Sequence, residues 1–114
     1  MILVGQVAKQ PRRHSFNGIQ FLCFPLITQE FIKKNGQRIE HLEVHQIKLP
    51  VDSMEEDLQF NKGDQVYVQG KIQTQQFIDE QNIKRYKTEI ISSFVQPLGV
   101  GSLDLQTMVL SKAG

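Results

Sequence analysis

Lys71, Gln73, Gln75 and Phe77 fall on one parity of an extended chain in the stretch KIQTQQF, while Val66, Val68 and Ile72 fall on the other. A second cluster, Phe31 followed by Lys33-Lys34 and then Arg38, again sets a flat ring beside cations. Side chains of these types can bind a partner without covalent chemistry. A ring offers its face to another flat ring, an ammonium or guanidinium neutralises an anion, and a glutamine supplies a donor and an acceptor. On these residues alone the second parity of the strand either contacts a partner or is an ordinary solvated face, with Phe77 tucked under a loop.

Bond-making chemistry finds little support. His45 shares strand parity with Ile47 and Leu49, which turns it inward or toward a subunit contact. His41 lies on that same face, separated from it by Glu43, and no second ligand stands at metal-binding spacing. Cys23 is the only cysteine, so neither an intrachain disulfide nor a C-x-x-C pair can form. There is no glycine-rich phosphate loop, no nucleophile elbow and no carboxylate pair that the pattern brings together. The reading is a binding protein and not an enzyme, with no catalytic residue, metal or cofactor.

The 114 residues suit a single domain with a modest core. Charge is nearly balanced, 13 Lys+Arg against 12 Asp+Glu, but Asp52, Glu55, Glu56 and Asp57 crowd into one short segment. The remaining surface is therefore basic enough for a locally positive face on a near-neutral molecule. No apolar stretch is long enough to cross a bilayer and no signal peptide is recognisable. The expectation is a soluble cytoplasmic protein of the bacterial nucleoid, or a mitochondrial one whose transit peptide has been removed.

These side chains must be positioned by strands. Alternation begins at Ile2 and runs to Val7, and Gln10-Pro11-Arg12-Arg13 interrupts it. Asn17-Gly18 marks a tight turn. GIQFLCFPLIT then reads as a second strand with Leu22, Phe24 and Leu26 on one face, and Pro25, which cannot donate to a ladder, belongs at an edge or bulge. Residues 29–37, with Lys33-Lys34-Asn35-Gly36 inside, read as a loop or hairpin tip. RIEHLEVHQIKL is a third strand. Val51, Met54 and Leu58 stand near helical spacing behind a capping Asp52 or Ser53, giving one short helix or helical turn. The strand beginning near Gln65 and the last one, KRYKTEIISSFV, are joined by a polar turn at 79–82. Residues 98–114, glycine-containing and poor in charge, read as a flexible tail. Three strands, a short helical connection and two more strands give an all-β, five-stranded OB-fold barrel over residues 1–97.

Five segments, in order, carry a resemblance. ILVGQVAKQP, the NG-x-x-F-x-x-F-x-L-x-T run, Glu43-Val44-His45, KGDQVYVQGKIQT and RYKTE at Arg85 to Glu89 resemble the single-stranded DNA-binding protein family of bacteria and mitochondria. The resemblance covers roughly residues 1 to 97. It implies an OB-fold that holds single strands by base stacking and phosphate neutralisation, with little sequence preference. It further implies a homodimer or homotetramer, and work in DNA replication, recombination or repair.

Carried over by position, Phe31 and Phe77 stand where the family places two of its stacking tryptophans, and Val44 stands where it places a third. The expected contact set is Phe31, Lys33, Lys34, Arg38, Lys48, Lys71, Gln75, Phe77 and Lys87, with His45 structural or at a subunit contact. Neighbouring strands should bring Lys48, Lys71 and Lys87 to one side, with Lys48 on the outward parity of Gln46 and Val44. The expected ligand is single-stranded DNA, with RNA as the alternative. The chain also mildly resembles primosomal replication protein N, a small relative, which makes an accessory module binding single strands and replication-restart partners the second reading. The acidic peptide with which bacterial members recruit replication and repair proteins has no counterpart in LDLQTMVLSKAG, which puts that recruitment in doubt.

Overall fold

A computed structural model describes residues 1–101. Six strands make up almost all of it: β1 (Ile2–Val7), β2 (Arg12–Phe16), β3 (Ile19–Lys34), β4 (Gln37–Pro50), β5 (Asp64–Ile78) and β6 (Lys84–Val100). They lie in the order β1-β5-β6-β4-β3-β2, and β1 also pairs with β3, which closes five of them into the expected barrel. Gly5 sits where β1 passes from β5 toward β3, and a Cβ there would run into the carbonyl of Ile27. A bare backbone at this position is what lets the two strands approach and the barrel close.

The alternation read from the sequence sorts the core correctly in the barrel itself. Val7, Phe24, Leu26, Ile47, Leu49, Val66, Val68, Ile90 and Val95 are buried together with Phe60, whose ring meets Phe24 edge-on at 5.0 Å. Pro25 occupies a changeover. β2 stops pairing with β3 at Cys23, β1 begins at Leu26, and between them the Pro25 carbonyl accepts the Ala8 N–H at 2.9 Å. No ladder donor is required there, so the missing N–H costs nothing.

The structure departs from the sequence reading in four places. Arg12 and Arg13, expected to belong to an interruption, instead open the strand Arg12–Phe16, hairpinned to β3 through Asn17-Gly18 with φ of 51° and 78°. Residues 29–34 are strand too, because Asn35-Gly36 turns the chain in two residues with nearly the same angles, 52° and 78°. Positive φ at both positions is the primed turn that matches strand twist, so the ladder continues to the tip. Ile72, expected inside, is 56% exposed, since the barrel ends at Gly70 and the β5–β6 hairpin runs on into solvent. As expected, the segment after β4 makes a single helical turn, a 3-10 turn at Val51–Ser53, though without the expected side-chain cap; four closely spaced acids there disfavour a longer helix. Met54 and Leu58 nevertheless pack against the core. β6 continues to Val100, and the Gly101 N–H donates to the Gly63 carbonyl at 2.8 Å. The remainder of the expected tail lies outside the described residues.

Candidate nucleic-acid interface

Two long hairpins leave the barrel as arms. Residues directly opposed in an antiparallel pair share a face, so the register assigns every side chain. On the β3–β4 arm, Phe31 opposes Glu40 and Lys33 opposes Arg38; further down the same face, Ile27 opposes Val44 and Cys23 opposes Lys48. On the β5–β6 arm, Lys71 opposes Ile91, Gln73 opposes Glu89, Gln75 opposes Lys87 and Phe77 opposes Arg85. Ile47 and Ile90, paired across the β4–β6 junction, both point into the core. Lys48 and Glu89, one residue away, therefore point outward. Phe31, Lys33, Arg38, Lys48, Lys71, Gln75, Phe77 and Lys87 thus share one outer face running across β5, β6, β4 and β3. Lys34 does not join them: it lies on the opposite face of its arm with Ile32 and Ile39.

β4 and β6 run parallel from their hairpin tips and pair only at Ile47↔Ile90 and Lys48↔Ile91. Beyond that two-rung ladder the arms part, and the outer face becomes a fork. Each arm carries one exposed ring, Phe31 at 50% and Phe77 at 46%. The Arg38 guanidinium stacks 3.9 Å from the centroid of Phe31, which orders the ring and leaves its other face open. At the tip of the second arm, Asp79 accepts hydrogen bonds from the Gln81 and Ile83 amides, both at 2.9 Å, and from Arg85 Nε at 2.7 Å. The Arg85 bond, followed by those of the backbone, holds its carboxyl below the ordinary carboxylate value.

The base of the fork differs from the arms. Glu89 is 5% exposed there, with Oε1 3.3 Å from Lys48 Nζ and Oε2 3.9 Å from Lys87 Nζ. Lys48 is 12% exposed, its ammonium 5.3 Å from the ring centres of both Phe16 and Phe21. The structure thus brings Lys48 to the expected side and engages it there. Sequence reasoning passed over Glu89, Phe16 and Phe21; the parity of Phe16 and Phe21 with Cys23 was the available signal, once β2 is known to be a strand.

His45 shares the parity of Ile47 and is half-buried beside the core, its Nε2 3.0 Å from Thr28 Oγ1 and 3.7 Å from Glu43 Oε2. A hydrogen bond to His41, at 2.9 Å, lowers the Glu43 carboxyl pKa. Among the described residues no three His, Cys, Asp or Glu side chains gather where they could hold a metal ion, and no helix is long and apolar enough to cross a membrane.

Comparison with known proteins places this geometry. The model of the Single-strand binding protein family matches residues 1–98. A single-stranded DNA-binding protein of Bacteroides thetaiotaomicron is 36% identical over 96 residues, covering 79% of this chain and 59% of that protein. One from Neisseria meningitidis is 31% identical over 102 residues, covering 87% of this chain and again 59% of the relative. The chain therefore spans somewhat over half the length of these curated relatives. Among solved structures, a Plasmodium falciparum SSB in complex with ssDNA superposes with a TM-score of 0.71 at 28% identity, covering 86% of this chain and 92% of that one.

Proposed function

The chain belongs to the Single-strand binding protein family, and we propose that it binds single-stranded DNA without regard to sequence, coating it during replication, recombination or repair. The observation that carries this reading is the shared outer face: two exposed rings, one on each arm, among five cations and a glutamine set by strand register. Phe31 and Phe77 stack bases, each stack contributing about 1–3 kcal/mol. Lys33, Arg38, Lys71 and Lys87 neutralise phosphates, Gln75 bonds phosphate or base edges, Lys34 serves from the reverse face of its arm, and Lys48 contributes least because Glu89 already holds it. Nothing on this face selects DNA over RNA except the family's habit, so RNA is the competing ligand.

The protein assembles with copies of itself in this reading. β1 pairs with β5 along Ile2–Gln6 but with β3 only at Gln6 and Val7, so one edge of Ile2–Gly5 is unpaired. Ile2 and Val4 are 58% and 46% exposed on that strand. An open edge with apolar side chains suits antiparallel addition of the same strand from a second copy. DNA-containing compartments, the bacterial nucleoid or the mitochondrial matrix, are the setting this function requires.

Titrating fluorescent oligothymidylate with the protein at two salt concentrations tests the reading. Tight binding that weakens with salt, as released counterions demand, is expected. Absence of binding, with replication proteins captured instead, would replace the strand coat with an accessory interaction module.

A further inference from the structure

Away from the arms, a groove of about 300 Å³ lies between the segment from Glu55 to Gln59 and the stretch of β6 from Phe94 to Pro97. Leu58, Phe94 and Pro97 give it apolar walls. Glu55 and Asp57, both exposed, supply its charge, and no cation stands among the lining residues. Neither acid has an ion-pair partner among the described residues. On the other side of the same segment, Leu58 also borders a depression lined by Arg13, yet even there Arg13 reaches no carboxylate.

The complement of this groove stands elsewhere on the same chain. Residues 1–29 contain no acid, and Arg12 and Arg13 open the β2–β3 hairpin. At its end Phe16 and Ile19 oppose each other across the two-residue turn, 47% and 51% exposed. β2 pairs with β3 alone, so the hairpin projects with one edge open. An apolar tip backed by unpaired cations matches apolar walls with unpaired acids in both polarity and charge. One copy does not satisfy itself, because the Glu55–Gln59 segment lies between the groove and the side on which Arg13 stands.

We propose that this groove receives the β2–β3 hairpin of a second copy of the chain, with Phe16 and Ile19 against Leu58, Phe94 and Pro97 and the hairpin arginines beside Glu55 and Asp57. A two-residue tip covers far less than the roughly 1,200–2,000 Å² of a stable interface. The contact therefore forms where a shared strand holds copies side by side and raises their effective concentration, and to that extent it rests on the strand-binding reading. Hairpin and groove are unlike surfaces, whereas at the β1 edge like meets like. Each docked copy leaves a hairpin free at one end and a groove at the other, which lets a row grow.

The test compares an oligothymidylate of about 12 nucleotides, within the range one such barrel covers, with polythymidylate long enough for many copies. The native protein should fill the long strand in contiguous runs, preferring a site beside an occupied one. Arg13→Glu and Glu55→Lys should each lower that preference about fivefold, the scale of an exposed ion pair turned into a repulsion, although they move net charge in opposite directions. Affinity for the short oligomer should follow net charge alone. A chain carrying both substitutions should regain most of the preference. Scattered filling by the native protein, an unchanged preference in either single variant, or no recovery in the double variant overturns the contact and leaves strand binding standing. No binding to either strand overturns the function itself, and the contact with it.

Discussion

Lys48→Met separates two roles that a lysine on a binding face can hold. Methionine keeps the length and the apolar stem but removes the charge. In the native protein the ammonium lies 3.3 Å from a carboxylate that is 5% exposed, and is itself 12% exposed. Removing one partner of a buried pair costs about 3–5 kcal/mol, because the other charge is left without compensation. Lys87 moderates this from 3.9 Å, but its side chain is 57% exposed, so its screened attraction offsets no more than about 1 kcal/mol. The net loss is then about 2–4 kcal/mol, and thermal midpoints of domains this size fall about 4–8 °C per kcal/mol. A drop on the order of 10–30 °C is expected in a calorimetric scan. Adding Glu89→Gln should recover most of it, since a neutral pair has no buried charge to strand. Oligothymidylate affinity, measured well below the midpoint, should hold within about threefold, with the slope of log affinity against log salt unchanged. A lysine that touched phosphate would instead leave the midpoint in place and reduce that slope by about 0.7. That result would refute the assignment of Lys48 to the frame.

Phe77→Ala should weaken oligothymidylate binding by about 1–3 kcal/mol with little change in thermal midpoint, because the ring is 46% exposed; a collapsed midpoint with intact affinity per folded molecule would make Phe77 a packing residue. Asp79 gives a pH dependence. A carboxyl whose folded pKa is depressed contributes stability that is present above its unfolded value, near 3.8, and lost as pH falls through the lower folded value. The Gln81 and Ile83 amide resonances should therefore titrate with a midpoint below 3.8, and a midpoint at or above that value would mean the tip carboxylate is not held as described. Val4→Glu should shift light-scattering mass toward the monomer while the barrel stays folded; an unchanged mass would move the subunit contact elsewhere.

What the sequence made legible was whatever depends on parity. Val66 and Val68 alternate against Tyr67 and Gln69, and a half-buried strand permits only one inward set. The same parity argument placed Lys48, Lys71 and Lys87 on one side, where the register puts them. Ile72 failed because alternation gives the face of a residue but not the point at which a barrel stops. Its pattern is the same whether Gly70 continues a core or begins an arm. Residues 29–34 were hidden for a related reason. QEFIKK has strand-forming residues, but the Lys-Lys pair and the following Asn-Gly make it look like a loop until the turn is taken as two residues long. The Lys48–Glu89 pair depends on a parallel contact between residues 43 apart in the chain, joined by only two rungs, and no local pattern reports such a pairing.

The distribution of charge over the fork suits the proposed sequence-independent binding. At the base, where β4 and β6 still pair, Glu89 engages Lys48 at 3.3 Å and draws in Lys87 at 3.9 Å, and the interaction holds the frame. Lys71, opposite the Ile91 rung, and, out on the other arm, Lys33 and the Arg38–Phe31 stack have no carboxylate engaging them among the described residues. Their charge is available to a phosphate without first breaking a native pair, which would otherwise subtract from affinity. Rings and free cations thus sit on hairpins that contribute little to the core, while the paired charges sit where the core needs them. Contacts on the arms can then change in number and register from one bound strand to the next without loosening the barrel. For the proposed function, in which any base order is accepted, many such separable contacts serve better than one rigid site.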